Sequence, residues 1–159
     1  MIDAQIRIRL MEDADIDEVV KIDKASFSLP WPERSFRFEI HENHYSLPLV
    51  AEATSTDGTR RIAGFTVIWV IIDEAHIGTI AVSEEYRKQG IAEQLIRNGL
   101  NTAAIKGAES ALLEVRRSNE AAIHLYQKLG FTVDGVREKY YQDNHEDAIL
   151  MSLSDLKDF

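Results

Sequence analysis

The residues whose types and spacing promise chemistry begin at Arg87-Lys88-Gln89-Gly90-Ile91-Ala92, between an apolar run that ends at Val82 and a helical pattern that starts at Ile91. A strand, a turn and a helix opening at glycine suit an anion. The first turn of a helix exposes unpaired amide hydrogens and roughly +0.5 of a charge. Gly90 and Ala92 leave room for a pyrophosphate to approach the backbone, and Arg87 and Lys88 add positive charge. Taken alone, so short a pattern equally describes a surface turn with solvated basic residues.

Further on, Leu112-Leu113-Glu114-Val115 sets an acid into an apolar strand, where an unpartnered charge is costly to bury. A proton-collecting base, an ion pair with Arg116 and an outward-facing position all answer to those residues. Tyr126 has a hydroxyl able to donate a proton, yet it shares a helical face with Ala122, Leu125 and Leu129, as a core tyrosine would. Asn119 stands where a helix N-cap belongs, a role compatible with ligand contact. Cysteine is absent, which removes disulfides, thiolate metal sites and any mechanism that parks an acyl group on sulfur.

These residues need elements to hold them. Gln5 to Leu10 alternates polar residues with Ile6, Ile8 and Leu10 as a strand does, and Asp13 or Asp15 then caps a helix containing Ile16, Val19 and Val20. Ser28-Leu29-Pro30-Trp31-Pro32 forms a loop, with Pro32 in the first turn of a short helix through about Glu42. Leu49 to Ala53 and Arg61 to Ile72 pair as a hairpin around Asp57-Gly58, and Ala75 to Val82 adds a third strand. Ile91 to Lys106 is amphipathic and stops at Gly107, Ser110 to Val115 is a strand, and a helix from about Asn119 stops at Gly130. Strands near Phe131 to Glu138 and Ala148 to Leu153 follow. The central strand-helix-strand implies a parallel pair inside an otherwise antiparallel sheet, so the fold is α/β.

At 159 residues without repeat or linker, positions 1–159 read as a single domain. No run reaches the roughly 20 apolar residues of a membrane span, and Met1 to Leu10 lacks the apolar centre of a signal peptide, so the expected location is the cytoplasm. A net charge of -9 argues against direct nucleic-acid binding and suits a basic peptide or polyamine, although acidity also serves simple solubility.

The turn matches the cofactor signature Arg/Gln-x-x-Gly-x-Gly/Ala of the GCN5-related N-acetyltransferases (GNAT), which the chain resembles. With Phe27 to Trp31, Ile80-Ala81-Val82, Leu113-Glu114-Val115-Arg116, Ser118-Asn119, Leu125-Tyr126, Leu129-Gly130-Phe131 and Lys139-Tyr140-Tyr141 in order, it is most similar to the RimI subfamily. Those bacterial enzymes acetylate the N-terminal alanine of a small-subunit ribosomal protein. The resemblance implies a GNAT fold: a mixed, mostly antiparallel sheet of about six to seven strands with a central parallel pair, flanked by four helices. It implies acetyl-CoA as cosubstrate with no metal, held by the backbone of Lys88, Gln89, Gly90, Ile91, Ala92 and Glu93, by strand pairing with Ile80, Ala81 and Val82, and by Asn119. It makes Glu114 the general base and Tyr126 the acid in a direct transfer, with the Val82 amide polarising the carbonyl.

For the acceptor, Phe27, Leu29, Trp31, Tyr140 and Tyr141 would wall a groove for a ribosomal N-terminal peptide, though core packing explains each aromatic equally well. Asp143, His145, Glu146 and Asp147 would either attract a basic peptide or form a solvated loop. His41 and His44 offer too few ligands for a metal, and His76 and His124 read as local hydrogen-bonding or surface residues rather than catalytic ones. Three departures from the family pattern stand out: Ala92 and Lys88 in the turn, Gly78-Thr79 where asparagine usually precedes the Ile-Ala-Val triplet, and a longer Thr54 to Arg61 hairpin. Other protein N-termini, lysine side chains or small amines remain alternative acceptors, as does a non-catalytic acyl-CoA-binding module. Oligomeric state is not legible.

Overall fold

The computed structural model describes residues 4–157 and 159. In chain order they form β1 (Ala4–Leu10), α1 (Ile16–Ser26), α2 (Glu33–His41), β2 (Ser46–Ser55), β3 (Arg60–Ile71), β4 (Glu74–Val82), α3 (Ile91–Ile105), β5 (Ser110–Arg116), α4 (Glu120–Lys128), β6 (Thr132–Arg137) and β7 (Ala148–Leu153). The strand order is β1-β2-β3-β4-β5-β7-β6. β4 and β5 run parallel, whereas β1–β2, β2–β3, β5–β7 and β6–β7 are antiparallel. This is the expected mixed α/β sheet with a parallel pair and four helices. Met1 to Asp3, the start of the segment read as leaderless, lie outside the described residues.

The chain divides into two compact units, the first reaching to Trp69 and including Gly78–Gly99. Its core joins Ile16, Val19 and Ile22 of α1, Phe36 of α2, Val50 of β2, Phe65 of β3 and Ala81 of β4. Phe36 meets Phe65 edge-on at 5.5 Å. Each of the Val, Ile and Phe side chains among them contributes about 1.5–3 kcal/mol on burial. Gly99 lets α3 sit close to this core: a Cβ there would run into the end of the Ile68 side chain, which would have to shift. Gly58, at φ +87°, makes the hairpin turn foreseen at Asp57-Gly58.

Three local expectations change. Leu10 is 59% exposed, whereas the next residue, Met11, is 3% exposed and joins the core. Asp15 does take the N-cap position of α1, but without a side-chain cap bond, because a 3-10 turn, Asp13–Asp15, comes first. Asp15 accepts the Glu12 amide at 2.8 Å and two bonds from Arg9, at 2.7 and 2.8 Å, and Arg9 also reaches Glu52 at 2.9 Å. Pro32 is the N-cap of α2, one residue ahead of its first turn, where its extended φ/ψ is admissible.

The second unit comprises Val70–Ile77 and Leu100–Phe159. The β4–β5 register runs from Glu74↔Ser110 to Ile77↔Leu113. Along β5, Ala111, Leu113 and Val115 are buried while Leu112, Glu114 and Arg116 take the half-buried face. The period of two thus separates packing from chemistry. Asn119 caps α4 by accepting the Ala122 amide at 3.2 Å, and Gly130, at φ +104°, ends it.

Candidate active site

In the first unit, β4 ends at Val82 and a 3-10 turn, Glu84–Tyr86, follows. Tyr86 is 2% exposed and anchors this turn, as Ile91, also 2% exposed, anchors the start of α3. Between them Lys88 has φ +63° and Gly90 φ +78°. A lysine in the left-handed region costs roughly 1–2 kcal/mol, so the turn is held there by its surroundings. Arg87 Nε donates to the Val82 carbonyl at 3.1 Å, and Gln89 Nε2 donates to the Glu85 carbonyl at 3.4 Å. Arg87 therefore braces the turn as well as charging it. A Cβ built at Gly90 meets nothing within 4 Å, so the backbone that opens the 15-residue α3 is accessible. Glu93, the acid of the first helical turn, is drawn back to Arg97 at 2.9 Å. An exposed, positively biased backbone cradle results, which fits a diphosphate.

The strand before the turn presents Ile80 and Val82 half-buried, with Ala81 buried at 8% exposure. The loop from Phe27 to Trp31 divides by role. Trp31 lies against the core, its ring 6.2 Å from Trp69 in a stacked pair and 5.3 Å from Phe36, and its amide donates to Asp23 at 2.7 Å. Phe27 and Leu29 are 37% and 59% exposed. An open cleft follows, lined by Trp31, Arg34, Phe38, Glu39, His41 and Trp69. Trp69 and Glu39 escaped the sequence reading. Trp69 Nε1 donates to the buried Glu39 carboxylate at 3.1 Å, and its ring covers Gly78, where a Cβ would stand 2.6 Å from Trp69 Cη2. A glycine inside a strand was the available signal.

In the second unit, Glu114 accepts a hydrogen bond from His76 Nε2 at 2.9 Å. Their side chains are 21% and 30% exposed. Arg116 is not its ion-pair partner: the guanidinium reaches Asp143 at 2.9 Å and Glu146 at 3.5 Å. His76 is one diagonal step from Glu114 across the parallel pair, since His76 registers with Leu112. The expectation that set His76 aside as a local hydrogen-bonding residue named the right interaction and missed its partner.

The acidic loop also finds its own cations. Asp147 pairs with Arg117 at 3.2 Å, and Glu146 accepts the Ser118 amide at 2.6 Å. Tyr141 lies under Arg116 at 4.0 Å and edge-on to Tyr140 at 5.1 Å. Burial raises the Tyr141 phenol above its ordinary pKa, with Arg116 opposing. Tyr126, 4% exposed, packs at 5.6 Å from Phe131, and burial, followed by the proximity of Tyr141, pushes its phenol far above the ordinary range. His41 faces Asp13 at 2.7 Å.

Residues 16–131 match the model of the acetyltransferase (GNAT) family. The chain belongs to that family. As a GNAT acetyltransferase it uses acetyl-CoA. It is 42% identical over 144 residues to a Bacillus subtilis (strain 168) protein described provisionally as a [ribosomal protein bS18]-alanine N-acetyltransferase, covering 91% of this chain and 92% of the relative. Identity is 32% over 148 residues to the [ribosomal protein bS18]-alanine N-acetyltransferase of Escherichia coli (strain K12), covering 92% and 95%. The crystal structure of the ribosomal-protein-S18-alanine N-acetyltransferase from Escherichia coli superposes with a TM-score of 0.80 at 32% identity, covering 94% and 93%. No helix among the described residues of this GNAT chain is long and apolar enough to cross a membrane.

Proposed function

We propose that this acetyltransferase modifies the N-terminal alanine of a small-subunit ribosomal protein, the bS18 of its relatives' names. The observation that carries the acceptor is the likeness to bS18-alanine N-acetyltransferases along 91–92% of the chain. On this reading 1–159 works as one acetyltransferase domain in the cytoplasm, where that acceptor is made.

The open backbone from Lys88 to Glu93 takes the pyrophosphate of acetyl-CoA, a role supported by the accessible Gly90 cradle. Ile80, Ala81 and Val82 offer main-chain groups to the amides of the pantetheine arm, as an added strand would. Asn119 uses Oδ1 for its cap, so its Nδ2 hydrogens are the group for the cofactor. Phe27, Leu29, Trp31, Tyr140 and Tyr141 receive the peptide terminus.

Acetyl-CoA supplies the thioester. A peptide α-ammonium has a pKa of about 7.7–8.0, so a base has to collect its proton before nitrogen can attack. Glu114 is that base, supported by its half-buried place on β5. The Val82 amide polarises the carbonyl as the C–N bond forms and the C–S bond breaks. Tyr126 is the residue assigned to the departing sulfur. Because burial strengthens its hold on the proton, and a thiolate of thiol pKa about 8.5 is the weaker base, Tyr126 acts chiefly as a hydrogen-bond donor.

Purified protein incubated with acetyl-CoA and a library of N-terminal peptides tests this, products being read by mass spectrometry. Selective acetylation of the alanine-starting bS18 peptide is expected. Preference for lysine side chains or polyamines would reject the acceptor, and absence of turnover would leave a binding module. Glu114→Gln is expected to lower kcat about 100-fold and Tyr126→Phe about tenfold; full activity in both would remove these roles.

A further inference from the structure

Glu114 is held by a side chain that the mechanism above does not use. His76 sits on β4 in register with Leu112, and its Nε2 lies 2.9 Å from Glu114 Oε2. An ionised carboxylate only accepts hydrogen bonds, so Nε2 carries the hydrogen and donates it. We propose that His76 is a positioning residue: it fixes the Glu114 carboxylate through Oε2 and leaves Oε1 as the oxygen that receives the acceptor's proton. The inference rests on the reading of Glu114 as the base.

Three observations support it. First, a glutamate has three side-chain torsions, and a base aimed by no contact samples many of them, whereas effective proton transfer requires a fixed reach of about 2.6–3.2 Å. Second, Glu114 has no claim on the neighbouring cation of its own strand, because Arg116 is engaged by Asp143, Asn144 and Glu146. The restraint comes across the β4–β5 pair instead. Third, His76 is 30% exposed and Glu114 21%, so the pair is neither a sealed core ion pair nor a freely solvated one. A contact in that range orders a side chain without excluding the substrate from its other oxygen.

The charge balance is simple. The ammonium N–H bond breaks, its proton goes to Oε1, and the freed lone pair attacks the thioester carbon. The C–S electron pair leaves on sulfur, and the second N–H proton of the adduct passes through water to that thiolate, giving the amide and the free thiol. His76 gives up no proton in this step; its Nε2–H remains with Oε2, and the protonated carboxyl later returns its proton to water. Charged and titratable groups beside Glu114 among the described residues include Arg116, with its carboxylate partners Asp143 and Glu146, and Tyr141, whose phenol feels the Glu114 charge.

The test is a double-mutant cycle measured with acetyl-CoA and an alanine-starting peptide. His76→Leu removes the donor, and His76→Gln restores an N–H at the reach of Nε2. His76→Leu is expected to lower kcat about tenfold or more with the KM for acetyl-CoA unchanged, and His76→Gln to recover most of that loss. In a Glu114→Gln background, His76→Leu is expected to change kcat by less than about twofold, since there is no carboxylate base left to position. Equal loss in the Leu and Gln variants, or an undiminished loss in the Glu114→Gln background, would overturn the proposal. If Glu114→Gln itself retains full kcat, the base assignment fails. Should His76→Leu not fold, His76→Asn, whose amide is one bond too short, takes its place in the cycle.

Discussion

The Arg116 guanidinium carbon lies 4.0 Å from the centroid of the Tyr141 ring, and the same guanidinium grips Asp143 at 2.9 Å. Arg116 is two residues from Glu114 on one face of β5. The strand that carries the proposed base therefore also anchors the loop that carries the tyrosine pair. Arg116→Lys keeps the charge and loses both the planar stack and the two-pronged grip. Its expected outcome is a rise in KM for the acceptor peptide of about threefold to tenfold, with KM for acetyl-CoA little changed, as read from initial rates.

Tyr126 sets an alkaline limit on stability. Its folded pKa is raised by burial above the unfolded value of about 10, so its contribution is complete below pH 10 and is lost as pH climbs through the folded value. Tyr86 and Tyr141 shift in the same direction. In denaturant titrations the Tyr126→Phe protein is expected to lose less stability than the parent between about pH 10 and pH 11. Parallel curves would show that the phenol ionises normally in the fold.

Asp15 sets the acid limit. Burial opposes its charge, but Arg9 and the Glu12 amide outweigh burial and hold its carboxyl below the usual range. Such a group contributes stability above its unfolded pKa, about 3.9, and loses that contribution as pH falls through the folded value. Asp15→Asn is expected to cost about 2 kcal/mol at pH 7, and the difference from the parent is expected to shrink below about pH 4. Thermal melts at both pH values check the sign.

Gly78→Ala places a Cβ 2.6 Å from Trp69 Cη2. The indole then has to leave β4 and strain its bond to Glu39. A stability loss of about 1–3 kcal/mol is expected, together with a change in indole fluorescence. Trp69→Leu in the same background removes the obstacle and is expected to make the Gly78→Ala step nearly neutral.

Much of this could be read from the sequence because it is local. The stops at Gly107 and Gly130, the Asp57-Gly58 hairpin and the helical face of Leu125, Tyr126 and Leu129 each depend on residues a few positions apart. The strand, turn and helix from Val82 to Ile91 were legible for the same reason. His76 and Glu114 are 38 residues apart, and a helical crossover sets their register, so no periodicity could pair them. Trp69 over Gly78 was hidden differently: glycine announced a close approach without saying by what. Arg116 beside Glu114 invited the wrong ion pair because charge proximity in sequence ignores the loop 27 residues on that competes for the guanidinium.

Gly99 carries a consequence for what the seat of α3 tolerates. The helix that opens at the proposed diphosphate cradle is seated nine positions later, about 13 Å along its axis, where a Cβ on residue 99 would meet the end of the Ile68 side chain. A larger residue 99 would require the end of the Ile68 side chain to give way, or residue 68 to be trimmed in step. Packing at residues 68 and 99 thus bears on the placement of the helix that opens at the proposed cofactor turn, although neither is a proposed ligand contact.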